Sequence, residues 1–126
     1  MFGLITRNMI LREAIELLNA DAHYAKSDQM EAVIKTARAS DLMSEVLPED
    51  AVPDILITGL CNAQVIRTAS DFGVKAVIFV RGKSCSTKMI DLAMEENMVV
   101  MSTHNSLYAT CGKLYDRGVR GVTEKL

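Results

Sequence analysis

The chain has 126 residues, 49% apolar and 24% charged, with a formal net charge of −2, a size that suits one domain around one core. Lys and Arg are scattered rather than gathered into a basic stripe, no apolar run approaches the ~20 residues of a membrane span, and the N-terminus lacks a signal peptide's basic start and cleavage site, so nucleic acid, membrane and secretion are set aside. Three cysteines, without a CxxC pair, are no disulfide framework and suit a reducing, cytoplasmic location.

Aromatics are few and Trp is absent, so the core is expected to be aliphatic with Met filling gaps. The first element, NMILREAIELLN, reads as an amphipathic helix with Asn8 as its cap and Ile10, Leu11, Ala14, Ile15 and Leu18 on one side. AHYAKS, from Ala22, reads as a short strand with His23 at a surface or edge, followed by a turn at Ser27-Asp28. MEAVIKTARASDL is ambiguous. Met30, Val33, Ile34 and Ala37 fit a helix, Val33, Ile34 and Thr36 suit a strand, and periodicity slightly prefers the helix. SDLMSEVLPED predicts a short helix capped by Ser40 or Asp41 and ending before Pro48.

From Pro53 the pattern repeats at about 22 residues, each unit an apolar β-branched run, a polar tip and a helical stretch. The runs begin at Ile55, Ala76 and Val99. Their helices carry stripes of Val65, Ile66, Ala69 and Phe72, then Met89, Ile90, Ala93 and Met94, then Leu107, Tyr108, Cys111, Leu114 and Tyr115. Gly73 and Gly118 are stop signals, and Ser86 or Thr87, then Asn105 or Ser106, are candidate caps. Runs apolar on both faces predict strands covered on each side, and strand–helix–strand order predicts parallel pairing. The predicted fold is α/β, three layers around a mostly parallel sheet built from consecutive βα units within a single domain.

Gly82-Lys83-Ser84 raises the question of a phosphate-binding P-loop. The motif needs a glycine five residues before Gly82, where Val77 stands inside the apolar run, and the triplet precedes the helix rather than opening it. It is therefore a strand-to-helix tip. Arg81, Lys83 and Lys88 bring positive charge there, and Ser84, Ser86 and Thr87 bring hydroxyls, a set that favours an anion, although a solvated loop with a good cap is the plainer reading.

Ligands of open parallel sheets bind beyond the carboxyl ends of the strands. Three tips are expected to meet there: Thr58-Gly59-Leu60-Cys61-Asn62, Arg81-Gly82-Lys83-Ser84-Cys85 and Ser102-Thr103-His104-Asn105. Candidate ligand-binding residues are Thr58, Gly59, Asn62, Arg81, Gly82, Lys83, Ser84, Thr103, His104 and Asn105. None of the three tips carries a carboxylate, so no general acid–base pair is visible. Cys61, Cys85 and His104 are weaker candidates for a metal, and Cys61, before a helix, for a low-pKa redox thiol. A half-buried structural thiol is the plainer reading, Cys111 is expected in the core, and Glu95-Glu96 reads as a solvated helix face.

The succession ASDLMSEVL, ILITGLCNAQVIRTA, AVIFVRGK and AMEENMVVMSTHNSLYATCGKLYDRG resembles the DRTGG domain family, and in particular small stand-alone members related to the N-terminal domain of HPr kinase/phosphorylase. It rests on Ser40-Asp41-Leu42, Thr58-Gly59, Asn62, Ser102-Thr103 and Gly118, and spans about Leu11 to Gly118. The resemblance implies a three-layer α/β domain whose mostly parallel sheet can include an antiparallel strand, and it implies a strand over Ala32–Ala39, a reading adopted here over the weak helical period because tertiary context often overrides it. It also implies a regulatory or ligand-binding attachment of the kind found with nucleotide-binding CBS modules and phosphotransacetylases. The namesake residues differ here: Leu60-Cys61 stand where the family has Asp-Arg, and Arg81-Gly82-Lys83 where it has Thr-Gly-Gly. The expected function is non-enzymatic regulation through a small anionic metabolite or nucleotide, with no cofactor named. The alternatives are a structural homodimer, since small α/β domains commonly pair, and a Cys/His metal or redox site.

Overall fold

The computed structural model describes residues 8–42 and 52–122. The short strand β1 (Met9–Ile10) leads directly into α1 (Leu11–Leu18). β2 (Asp21–Tyr24) and a single 3-10 turn (Gln29–Glu31) precede β3 (Val33–Ile34) and β4 (Thr36–Ala39). The repeating half then runs β5 (Ile55–Thr58), α2 (Ala63–Phe72), β6 (Ala76–Phe79), α3 (Thr87–Glu96), β7 (Val99–Ser102), α4 (Leu107–Asp116) and β8 (Arg120–Gly121).

One sheet has the order β2-β7-β6-β5-β4-β8; β1 and β3 form a separate antiparallel pair. Every pairing from β7 through β8 is parallel, and β2 runs antiparallel along β7 at one edge. The α/β class and the mostly parallel sheet match the sequence reading. Alternate strand residues face opposite layers. Ile55, Ile57, Ile78, Val99 and Met101 pack with Leu11, Ala14, Leu18 and Leu114 from α1 and α4. Leu56, Val77, Phe79 and Val100 pack with Val65, Ile66, Ala69, Met89, Leu92 and Ala93 from α2 and α3. Burial on both faces is why these strands read as unbroken apolar runs.

The structure corrects the sequence reading at several points. The helix that periodicity slightly prefers over residues 30–42 does not form, and strand forms in that stretch as the family resemblance implies. Val33–Ile34 pairs with β1 and Thr36–Ala39 enters the sheet between β5 and β8, because the backbone groups of Thr36–Ala39 find partners on both sides there and a weak period yields to that pairing. Asn8 is not the cap of α1. Ile10 takes that place, its N–H donating to Glu13 Oε1 at 2.9 Å, while Leu11 N–H reaches Ala32 O at 2.9 Å. Met94, Tyr108 and Tyr115 leave their predicted stripes for solvent, and Leu92 and Thr110 are buried instead, since each helix turns its face to suit the sheet. Cys111 is only partly buried. The helix predicted over SDLMSEVLPED falls mostly on residues 43–51, outside the described residues.

Candidate functional site

Parallel registry brings the tips to one end. Ile57 lies opposite Ala39 and Ile78, Phe79 lies opposite Thr58 and Ser102, and Ser40 N–H, just past β4, bonds Ile57 O at 3.1 Å. The predicted three tips therefore share a rim, and β4 adds a fourth, Ser40-Asp41-Leu42. The helices beyond the tips start on side-chain caps. Asn62 Oδ1 accepts from Val65 N–H at 3.0 Å, Ser86 Oγ from Met89 N–H at 3.2 Å and Ser106 Oγ from Ala109 N–H at 3.0 Å. Asn62 thus acts as a cap, and of the candidate pairs it is Ser86 rather than Thr87 and Ser106 rather than Asn105 that cap their helices.

The fourth tip supplies what the sequence reading found absent, a carboxylate. Asp41 Oδ1 accepts from Gly59 N–H at 2.7 Å and from Thr58 Oγ1 at 3.4 Å. Its Oδ2 faces the Arg81 guanidinium, with both Nη1 and Nη2 at 3.4 Å. Thr58 is fully buried, and its Oγ1 also accepts from Leu60 N–H at 3.0 Å. The Gly59 N–H bond and, to a smaller extent, the Arg81 charge hold the Asp41 carboxyl below its ordinary 3.8. Asp41 was in reach of the sequence. A polar residue just past a strand parallel to Ile55–Thr58 must stand beside Thr58-Gly59, but that inference needed the strand over Ala32–Ala39 to be placed next to Ile55–Thr58, which no local pattern shows.

Arg81 is placed by its backbone. Arg81 and Gly82 both have positive φ, 62° and 71°, in a tight turn closed by Lys83 N–H to Val80 O at 3.4 Å. A left-handed arginine costs on the order of 1 kcal/mol, and two bonds fix it: Arg81 N–H to Asn105 O and Gly82 N–H to Thr103 O, each 2.9 Å. The guanidinium lies flat against Gly59, where any Cβ would strike it. Those two bonds also settle the P-loop question, because the N–H groups of Arg81 and Gly82 face the neighbouring tip and cannot wrap a phosphate.

The third tip does different work. Thr103 is buried, and its Oγ1 donates to Leu18 O at 2.8 Å; Asn105 Nδ2 reaches the same carbonyl at 3.1 Å and Thr103 Oγ1 at 2.9 Å. Lys113 Nζ donates to Asn105 Oδ1 at 3.0 Å. These two predicted ligand-binding side chains thus satisfy the last turn of α1. His104 is exposed, its ring beside Gly82. Lys83 and Ser84 are exposed as well.

Cys61 and Cys85 are near enough across the first two tips to influence each other's thiol, and Cys61 Sγ donates to Ser84 O at 3.5 Å. Among the described residues no three His, Cys, Asp or Glu side chains are grouped to hold a metal, so Cys61, Cys85 and His104 do not form a ligand set. The low-pKa thiol is corrected too. Desolvation raises the Cys61 thiol despite Lys83 nearby, and burial together with Cys61 pushes Cys85 up to about 12. One pairing was invisible in the sequence: His23 Nε2 and Ser102 Oγ lie 2.9 Å apart where β2 bulges against β7. Ser102 is buried, and no carboxylate bonds the His23 ring among the described residues, so the contact pins the edge strand.

No family model matches the chain, and no curated protein does. Among solved structures it is similar to the CBS and DRTGG domains of the regulatory region of Clostridium perfringens pyrophosphatase, crystallised with the activator diadenosine tetraphosphate. The match has a TM-score of 0.66 and 20% identity, and it covers 92% of this chain and 53% of that one, so this chain spans about half of that structure's length. At that identity the similarity is one of fold, and the chain has a DRTGG-like α/β fold.

Proposed function

We propose that the chain is a regulatory domain without catalysis of its own that binds a small anionic ligand, of the nucleotide class, where β4, β5 and β6 end. The observation that carries this reading is the guanidinium of Arg81, held by a left-handed turn against Gly59 beside an inward-facing N–H and the Thr58 hydroxyl. Such donors suit oxyanions. Lys83, Ser84 and His104 border the same rim and extend it toward a larger ligand, while Asn62, Gly82, Thr103 and Asn105 hold the rim in shape. The solved structure of similar fold is a regulatory region bound to a nucleotide activator, which supports the class of ligand.

Thermal-shift and calorimetric titrations with ATP, diadenosine tetraphosphate and inorganic pyrophosphate test the reading. Saturable binding that is lost in the Arg81→Ala/Lys83→Ala double variant is expected; no binding of any of them by the wild-type chain would overturn it. A second reading, a homodimer, is favoured by one observation. Tyr108 and Tyr115, seven residues apart on α4, are 89% and 50% exposed and share a helix face. Light scattering at tens of micromolar, with Tyr108→Ala as the comparison, decides it.

A further inference from the structure

Asp41 is the one acidic group facing the anion-binding donors of the rim among the described contacts, and it lies where a ligand oxyanion would lie. One of its oxygens takes the Gly59 N–H at 2.7 Å and faces the Thr58 hydroxyl at 3.4 Å; the other faces both Arg81 nitrogens at 3.4 Å. A backbone N–H, a hydroxyl and a guanidinium around two oxygens match the demands of a phosphoryl group as well as those of a carboxylate.

Resting on the function proposed above, we infer that Asp41 is an internal competitor, its carboxylate seated in the phosphoryl site, and that a phosphoryl-bearing ligand binds by displacing it. The asymmetry of the contacts favours this. The Arg81–Asp41 pair is long, and the side chains are 44% and 42% exposed, so parting it costs little. Arg81 keeps its position when Asp41 leaves, because its backbone is bonded to Asn105 O and its neighbour's to Thr103 O. Gly59 keeps its N–H aimed at the seat, because Thr58 is buried and its hydroxyl is bonded to Leu60 N–H. Exchange of one anion for another leaves the donors satisfied in both states and moves the β4 tip relative to the β5 tip, which gives ligand binding a structural readout.

The inference makes a prediction of unusual sign, since removing an acidic residue from the site should tighten binding. The test is calorimetry of the full chain with inorganic pyrophosphate and, in parallel, ATP, for wild type, Asp41→Asn, Asp41→Ala and Arg81→Ala. Asp41→Asn keeps the shape and removes the charge, so the result stands even where Asp41→Ala fails to fold. Both ligands should bind Asp41→Asn about tenfold more tightly than wild type and Arg81→Ala more weakly. Tightening for pyrophosphate and ATP alike assigns the effect to the phosphoryl group, and tightening for ATP alone overturns the assignment to that group. In wild type, the Gly59 amide resonance should shift as pyrophosphate is added. Equal or weaker binding by Asp41→Asn, with Arg81→Ala still weakened, overturns the competitor and leaves the binding site intact. No binding by either wild type or Asp41→Asn overturns both.

Discussion

The two halves of the rim use the same residue types for opposite ends. At the β7 tip the Thr103 and Asn105 side chains close on Leu18 O, with Lys113 completing the set, so these two side chains are committed to joining the sheet to α1. At the β4–β5–β6 tips a threonine, a glycine and an arginine are arranged around a carboxylate, through one short bond from Gly59 N–H and long contacts from Thr58 and the exposed Arg81. Connections leave β6 and β7 for opposite faces, which makes that crevice the usual place for a ligand in an open α/β sheet. Here it is stitched shut by the bonds of Arg81 and Gly82 to the neighbouring tip, and the Asp41 contacts proposed to exchange with ligand lie one strand further along. A polar tip therefore does not announce a site; what separates the two halves is whether its hydrogen bonds are buried and complete.

Four measurements can break or sharpen that contrast. The largest effect on stability is expected at the closed half. Thr103→Val removes a buried hydroxyl bonded to Leu18 O and should cost about 2 kcal/mol in urea unfolding while leaving pyrophosphate affinity unchanged. A loss of affinity with full stability would reverse the roles given to the two halves. At the open half, Gly59→Ala should do the converse. Gly59 has no left-handed backbone to strain, and the added methyl meets only the movable guanidinium of Arg81, so binding should fall about tenfold with a stability change within about 0.5 kcal/mol.

A third test lies beneath both halves, on α4. Thr110 is fully buried, and its hydroxyl has no hydrogen-bond partner among the described residues. Thr110→Val keeps the shape without the polar atom and should stabilise the chain by about 1 kcal/mol, read as a higher urea midpoint at unchanged slope. The smallest effect concerns acid. The Asp41 carboxyl titrates below 3.8 in the folded chain, so its contribution is fully present above that value and fades as the pH falls through the lower folded value. Wild type and Asp41→Asn should therefore differ slightly in stability at pH 7 and converge as the pH is taken progressively below 3.8. A gap that widens in acid would show that the Gly59 N–H does not hold the ionised form.

The repeating half of the chain was legible because local rules and burial agree there. Apolar runs, polar tips and capped helices follow one another, and Gly73 ends α2 with φ 83° as a stop signal should. Periodicity alone misleads where they disagree. Thr36–Ala39 has the period of a helix, yet it is a strand because β5 and β8, both later in the chain, present their edges to it. Adopting the strand that the resemblance implies still left Asp41 unread, because nothing local places the tip after it beside Thr58-Gly59. The thiols misled for a related reason, since their position before helices is visible in sequence and their desolvation is not.

The order of residues alone determined the βα units, the parallel direction of the central strands, the end of the sheet where the tips gather and the failure of Gly82-Lys83-Ser84 as a P-loop. Those follow from periodicity, turn chemistry and chain connectivity, which are short-range. Only the tertiary structure decided which tips are sealed and which are open, because that depends on Leu18 meeting Thr103 and Asp41 meeting Gly59. The free energy of a polar group is set by whether a distant partner replaces its water, and no local pattern encodes that partner.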